Sequence, residues 1–113
     1  MGTSSSNKIL AQVVDSFDSS TLNMTLQLAA TLDFPTRLLR IINQSNVPVI
    51  VSYDGVNAHD VVLANSITQL PFAELGLAGN YSASMAANTN IYLTGAAGMG
   101  NIIFAAYYQP INP

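Results

Sequence analysis

The chain reads as an all-β protein, an antiparallel β-sandwich or jelly-roll-like barrel, and three observations lead there. Apolar and polar residues alternate with period two in its clearest segment. Short runs rich in β-branched residues recur at intervals of about 8–12 residues, with Gly, Pro, Asn and Asp turn signals between them. No long stretch shows helical periodicity. With 113 residues the chain is read as a single domain, 1–113, with short extensions at 1–6 and 109–113. A domain of that size buries about two thirds of its unfolded surface and needs no disulfide or metal staple.

The elements follow in chain order. KILAQVVDSF, residues 8–17, fits a strand or a short helix, and strand is preferred. LNMTLQLAATL, 22–32, places Leu22, Met24, Leu26, Leu28, Ala30 and Leu32 at alternate positions, the signature of a strand with one wet face. RLLRIIN, 37–43, is a strand introduced by Pro35, its two arginines interrupting opposite faces. VPVIVSY, 47–53, is β-branched, and Pro48 stands at its start, where a missing donor is tolerated. HDVVL, 59–63, is expected to pair back onto it across the Asp54-Gly55 turn, and SITQLPF, 66–72, to form a further short strand. LGLAGN is a loop. NIYLT, the turn GAAGMG and NIIFAAYY, 90–108, read as a final hairpin whose glycines supply the positive φ angles of the turn.

Charge is scarce and unevenly placed. Asp, Glu, Lys and Arg make up 8% of the chain, against about 25% in an ordinary globular domain. Lys8, Asp15, Asp18, Asp33, Arg37, Arg40, Asp54 and Asp60 all precede residue 61, and Glu74 alone follows. A wet surface of Asn, Ser, Thr and Gln would account for this, and so would burial of that half against other subunits, since interface cores are depleted of charge. The second reading is preferred. A net charge of −3 with three basic residues leaves little to neutralise phosphates, so nucleic acid is not an expected partner. The uncharged stretches are broken by Asn, Gly, Ser and Pro, which argues against a membrane span. MGTSSSNK has no apolar run of signal-peptide kind, so the chain is expected to stay in the cytoplasm where it is made.

The stretch that looks most like chemistry is VIVSYDGVNAHDVVL, with Asp54, His59 and Asp60 close together. His59 and Asp60 are adjacent, so in a strand they point to opposite faces and do not form a base with its orienter. The chain has one histidine, one glutamate and no cysteine, which removes thiol chemistry and leaves no paired acid–base machinery. DGVNAHD lacks the alternating carboxylates of a calcium loop. The expectation is a turn in which Asp54 and Asn57 bond their own backbone, Gly55 takes positive φ and His59 covers the strand end. No catalytic, cofactor or metal residue is assigned.

NIIFAAYY is apolar on both faces, Ile102, Phe104, Ala106 and Tyr108 on one and Ile103, Ala105 and Tyr107 on the other. Either it is a central strand buried between two layers, or one face serves the core and the other a partner. Ile103, Tyr107 and Tyr108, with the terminal segments, are the candidate contact residues. Tyr53, Tyr81 and Tyr92 offer rings for stacking on a sugar, although they share no common spacing and no tryptophan accompanies them. Asn-x-Ser/Thr triplets at Asn23, Asn43 and Asn80 carry no glycosylation meaning without a secretory signal.

The runs LLRIINQSNVPVIVSYDGVNAHDVV and NIYLTGAAGMGNIIFAAYY resemble small β-sandwich structural proteins of tailed bacteriophage virions, over Leu38 to Tyr108. What carries the resemblance is an Asn-rich turn, a V-x-V-S-Tyr-Asp-Gly hairpin with a His-Asp continuation, and a Gly-rich closing turn. It implies a virion location and a capsid-decorating, cementing, neck or tail role. Its partners would be further copies of the chain and other virion proteins such as the major capsid or neck proteins. It brings no site residue with it. A carbohydrate-binding module, for example on a tail, is the alternative.

Overall fold

The computed structural model describes residues 10–71 and 85–108. The expectations for MGTSSS, LGLAGN, Tyr81 and PINP fall outside them. Among the described residues there are nine strands: β1 (Leu10–Ala11), β2 (Asp15–Asp18), β3 (Gln27–Thr31), β4 (Thr36–Asn43), β5 (Val49–Ser52), β6 (Asp60–Val62), β7 (Ser66–Pro71), β8 (Asn90–Thr94) and β9 (Asn101–Tyr108). Every pairing is antiparallel. Sheet A has the order β1-β9-β4-β7, with β2 also on β9, and sheet B the order β3-β8-β5-β6. With β1 and β2 taken as one interrupted strand, this is the strand order of a jelly roll, two four-stranded layers with a shared core. Within the 8–17 segment, Leu10–Ala11 and Asp15–Phe17 are therefore strand, separated where Gln12 turns inward and ties Thr31 O and Asp33 N together.

The expected hairpin of β8 and β9 does not form, because β8 lies in sheet B and β9 in sheet A. In this topology β5 and β6 form a hairpin in sheet B, while β2 to β3, β3 to β4, β4 to β5, β6 to β7, β7 to β8 and β8 to β9 all pass from one sheet to the other. GAAGMG is thus an arch over the end of the sandwich. It is pinned on both sides: Gly98 N donates to Ser19 O, Ser19 N to Gly100 O, and Asn46 N to Met99 O. Gly100 has φ +120°, and a Cβ there would collide with Gln44 O, so glycine is required.

The core is built from the inward rows of both sheets. Leu39, Ile41, Ile102, Phe104 and Ala106 come from sheet A, and Ala30, Val49, Val51, Val62, Ile91 and Leu93 from sheet B. Each fully buried Leu, Ile or Val contributes about 1.5–3 kcal/mol relative to exposure. The 22–32 segment departs from simple alternation. Leu28 faces Tyr92 and Ala30 faces Ile91, so Ala29 is the extra residue of a bulge. One inserted residue reverses the phase of the strand, and Leu28 is 57% exposed while Ala30 is 5% exposed. Leu22 and Leu32 reach the core from either side, whereas Met24 stays outside. A second bulge between Thr36 and Leu38 makes Arg37 the extra residue, so the in-and-out alternation that follows starts at Leu38.

At the end of β4 the buried Asn43 joins three segments. Its Nδ2 donates to Val47 O at 2.9 Å, Val62 O at 3.2 Å and Leu63 O at 3.1 Å. Its Oδ1 accepts from Ser45 N at 2.9 Å and Ser45 Oγ at 2.6 Å. The side chain thereby satisfies backbone groups that the β4–β5 turn and the end of β6 bury away from water.

Candidate functional site

The β5–β6 connection holds the residues that invited a chemical reading. Asp54 Oδ1 accepts from Val56 N and Asn57 N, both at 2.8 Å, and from Ser52 Oγ at 3.0 Å, while Oδ2 accepts from Asn57 Nδ2 at 3.0 Å. These bonds, led by the Asn57 and Val56 N–H groups, hold the Asp54 carboxyl well below the usual carboxylate range. Gly55 has φ +78° and packs under the Tyr92 ring. His59 Nδ1 accepts from Tyr53 N at 3.0 Å, and the Tyr53 and His59 rings stack with centroids 5.5 Å apart. Tyr53 OH donates to Asp60 Oδ2 at 2.8 Å, and burial, followed by that carboxylate, pushes the phenol up from its ordinary range.

Ser52, Asp54 and His59 make up a Ser, His, Asp set by composition, a grouping the order of residues did not suggest. The geometry is not that of a nucleophile and its base. Ser52 is fully buried, and its Oγ donates to Asp54 and accepts from Gly55 N. The acceptor nitrogen of His59 is occupied by a backbone N–H, and its Nε2 stands 3.8 Å from Asp54 Oδ2. Among the described residues no three His, Asp or Glu side chains gather to hold a metal ion. The loop is a turn whose polar groups bond one another. Tyr53 and Tyr92, two of the three tyrosines considered for sugar stacking, have their rings against His59 and Gly55.

The outer face of sheet A is the other candidate. On β4, Leu39 and Ile41 are fully buried, which turns Leu38, Arg40 and Ile42 outward. The registers then set the rows across the sheet. Ser16, Ile103, Ile42 and Ile67 form one row, Ala105, Arg40 and Gln69 the next, and Ala11, Tyr107, Leu38 and Pro71 a third. Ile103 and Tyr107 are half-buried on this face. Tyr108 belongs to the other face of β9 and stacks on Phe34 with ring centroids 3.9 Å apart. An open hollow of about 210 Å³ at one end, lined by Ile42, Asn43, Gln44, Asn65, Ser66 and Ile67, is smaller than the roughly 300 Å³ at which small-molecule pockets begin. The face has extent rather than depth. Arg40 stands at its centre, and its buried Nε has no hydrogen-bond partner among the described residues. The alternation of RLLRIIN marked the two arginines as interruptions of apolar faces; with Leu39 and Ile41 inside, the interruption at 40 falls on the outer one.

No protein-family model matches the chain, and no curated protein matches it. A solved structure described as "Bacillus endospore appendages form a novel family of disulfide-linked pili" is similar, with a TM-score of 0.48 and 14% identity over 90% of this chain and 88% of that one. A likeness at that level says nothing of what this chain does, and this chain has no cysteine.

Proposed function

We propose that the chain is a structural subunit of a tailed-phage virion, a capsid-decorating, cementing, neck or tail component that works as a homo-oligomer through packing of its β-sheets and catalyses nothing. The observation that carries this reading is the outer face of sheet A. Ile42, Ile67 and Ile103 adjoin in one row, Leu38 and Tyr107 lie in another, and Arg40 is the single cation between them. Contiguous apolar surface with a tyrosine anchor and little charge is the composition of an interface core rather than of free protein surface. Repetition multiplies such contacts, so weak individual contacts give firm attachment. Jelly rolls serve in capsids and in lectins alike, and the engagement of Tyr53 and Tyr92 within the protein favours assembly over sugar binding.

The test has two parts. Light scattering of the purified chain over a range of concentrations is expected to show a defined oligomer. Gold-labelled antibody against the chain is expected to decorate phage particles from the source culture at regular positions. A chain that stays monomeric at every concentration and labels no particle would end this reading.

A further inference from the structure

We infer that the outer face of sheet A receives a second copy of the same chain around a two-fold axis that passes over Ile103, with Arg40 of each copy against Asp18 of the other. The inference rests on the assembly reading above and adds the symmetry, the centre of contact and the charged pair.

Arg40 and Asp18 are the charged residues on the outward rows that the strand registers set; Arg37 is the bulge residue of β4 and belongs to none of these rows. Phe17 packs on the core, so Asp18 and Ser16, its neighbours on the strand register, lie on the outer rows with Asn101 and Ile103. Arg40 lies opposite Ala105 and Asp18 opposite Asn101, with β9 between their strands. At about 4.8 Å between strands and about 3.3 Å per residue, the two Cα atoms are roughly 16 Å apart, too far to pair within one chain. The midpoint of the line joining them falls on β9 halfway between Ala105 and Asn101, and the residue there is Ile103.

In an isologous contact residue i meets j while j meets i. A two-fold axis lying in the plane of the interface, perpendicular to the Arg40–Asp18 line at its midpoint, sets Ile103 on Ile103 and forms the Arg40–Asp18 pair twice. The strands of the two copies then cross at about 70°, near the orthogonal class of sheet packing.

Charge complementarity selects a copy as the occupant. Covering Arg40 with apolar surface alone would bury an unpaired guanidinium at a heavy desolvation cost. The occupant must therefore bring a carboxylate to the centre of the face, and a copy brings one at the required offset. Asp18 is exposed; Ser20 N–H donates to its Oδ1 at 2.9 Å and, with the Ser20 side chain, keeps its pKa below the ordinary value, and a carboxylate with several acceptor sites still has room for a guanidinium.

The experiment compares the wild-type full chain with Arg40→Asp, Asp18→Arg and the double reversal, by sedimentation equilibrium, with far-UV circular dichroism to check the fold. Each single reversal sets like charges against each other and is expected to weaken dimerisation about 30-fold or more, and the double reversal is expected to recover most of the loss. Ile103→Ser should weaken association as well, since its contact lies on the axis. A wild type that associates while Asp18→Arg associates equally well overturns this two-fold and leaves the assembly reading standing; a monomeric wild type overturns both. If Arg40→Asp does not fold, Asp18→Arg, at an exposed position, decides the matter. A double reversal no better than the weaker single would also refute the pairing.

Discussion

Asn43 and Asp54 begin turns in the same manner and differ in whether water reaches them. In both, the side-chain Oδ1 accepts the N–H of the residue two positions on, Ser45 for Asn43 and Val56 for Asp54. Asn43 is buried, neutral and tied through Nδ2 to three carbonyls on other segments. Asp54 is exposed and ionised, and its hydrogen bonds stay within residues 52–57. A hydrogen bond contributes little when water can replace it, and its loss is expensive when water cannot. The same local geometry therefore has a global consequence at one end of the sandwich and a local one at the other.

The largest effect should follow from Asn43→Ala. It leaves the Ser45 N–H and the Val62 carbonyl without their Asn43 partner where both bonds are buried. We expect a loss of about 3 kcal/mol, with a fall in Tm of about 12–20 °C, measured by urea and thermal unfolding of the full chain. A loss below about 1 kcal/mol would break the comparison, because Asn43 would then be as replaceable as an exposed turn residue.

Asp54 should reveal itself through pH. Its folded pKa lies below the unfolded value, so its contribution is fully present above the ordinary aspartate pKa of about 4 and is lost as pH falls through the folded value. Wild-type unfolding midpoints in urea should therefore drop between pH 6 and pH 3 by more than those of Asp54→Asn. Asp18, depressed by Ser20 N–H, supplies a slope of the same sign in both proteins. Equal pH dependence in the two would show that the turn hydrogen bonds do not bind the carboxylate more tightly than water does.

Periodicity made the strands legible, and the turn chemistry of Asp54-Gly55 was legible for the same reason: both are local. The arch at GAAGMG was not, since a hairpin turn and a sheet-to-sheet crossing ask for the same glycines, and the choice depends on partners such as Ser19 and Asn46, 53 or more residues away. The bulge at Ala29 was hidden because an extra residue leaves the apolar pattern of 22–32 intact while reversing which side of it is wet. Asn43 read as an acceptor triplet of no consequence, its value lying in carbonyls 4 to 20 residues distant. For NIIFAAYY the two apolar faces were legible, and which of them met the core was not. Ile102 and Phe104 are inside because β4 and β2, its neighbours in sheet A, turn Leu39, Ile41 and Phe17 the same way.

The smallest effect should come from His59→Ala, and it sharpens the contrast from the other side. The substitution removes the acceptor of Tyr53 N–H, a ring stacked on Tyr53 and a 3.8 Å contact with Asp54. All of these are at the surface, where water replaces the acceptor and screens the charge, so the loss should be about 0.5 kcal/mol. Because Nδ1 accepts a hydrogen bond, the imidazole proton of the neutral ring belongs on Nε2, toward Asp54, and long-range ¹⁵N–¹H correlation spectra above pH 8 should show that tautomer. A proton on Nδ1 would mean that the Tyr53 N–H bond is not formed in solution and that His59 is free to act as a base. Should His59→Ala instead destabilise the chain as much as Asn43→Ala, the exposed loop would be part of the cooperative core, and burial would not be what separates the two turns.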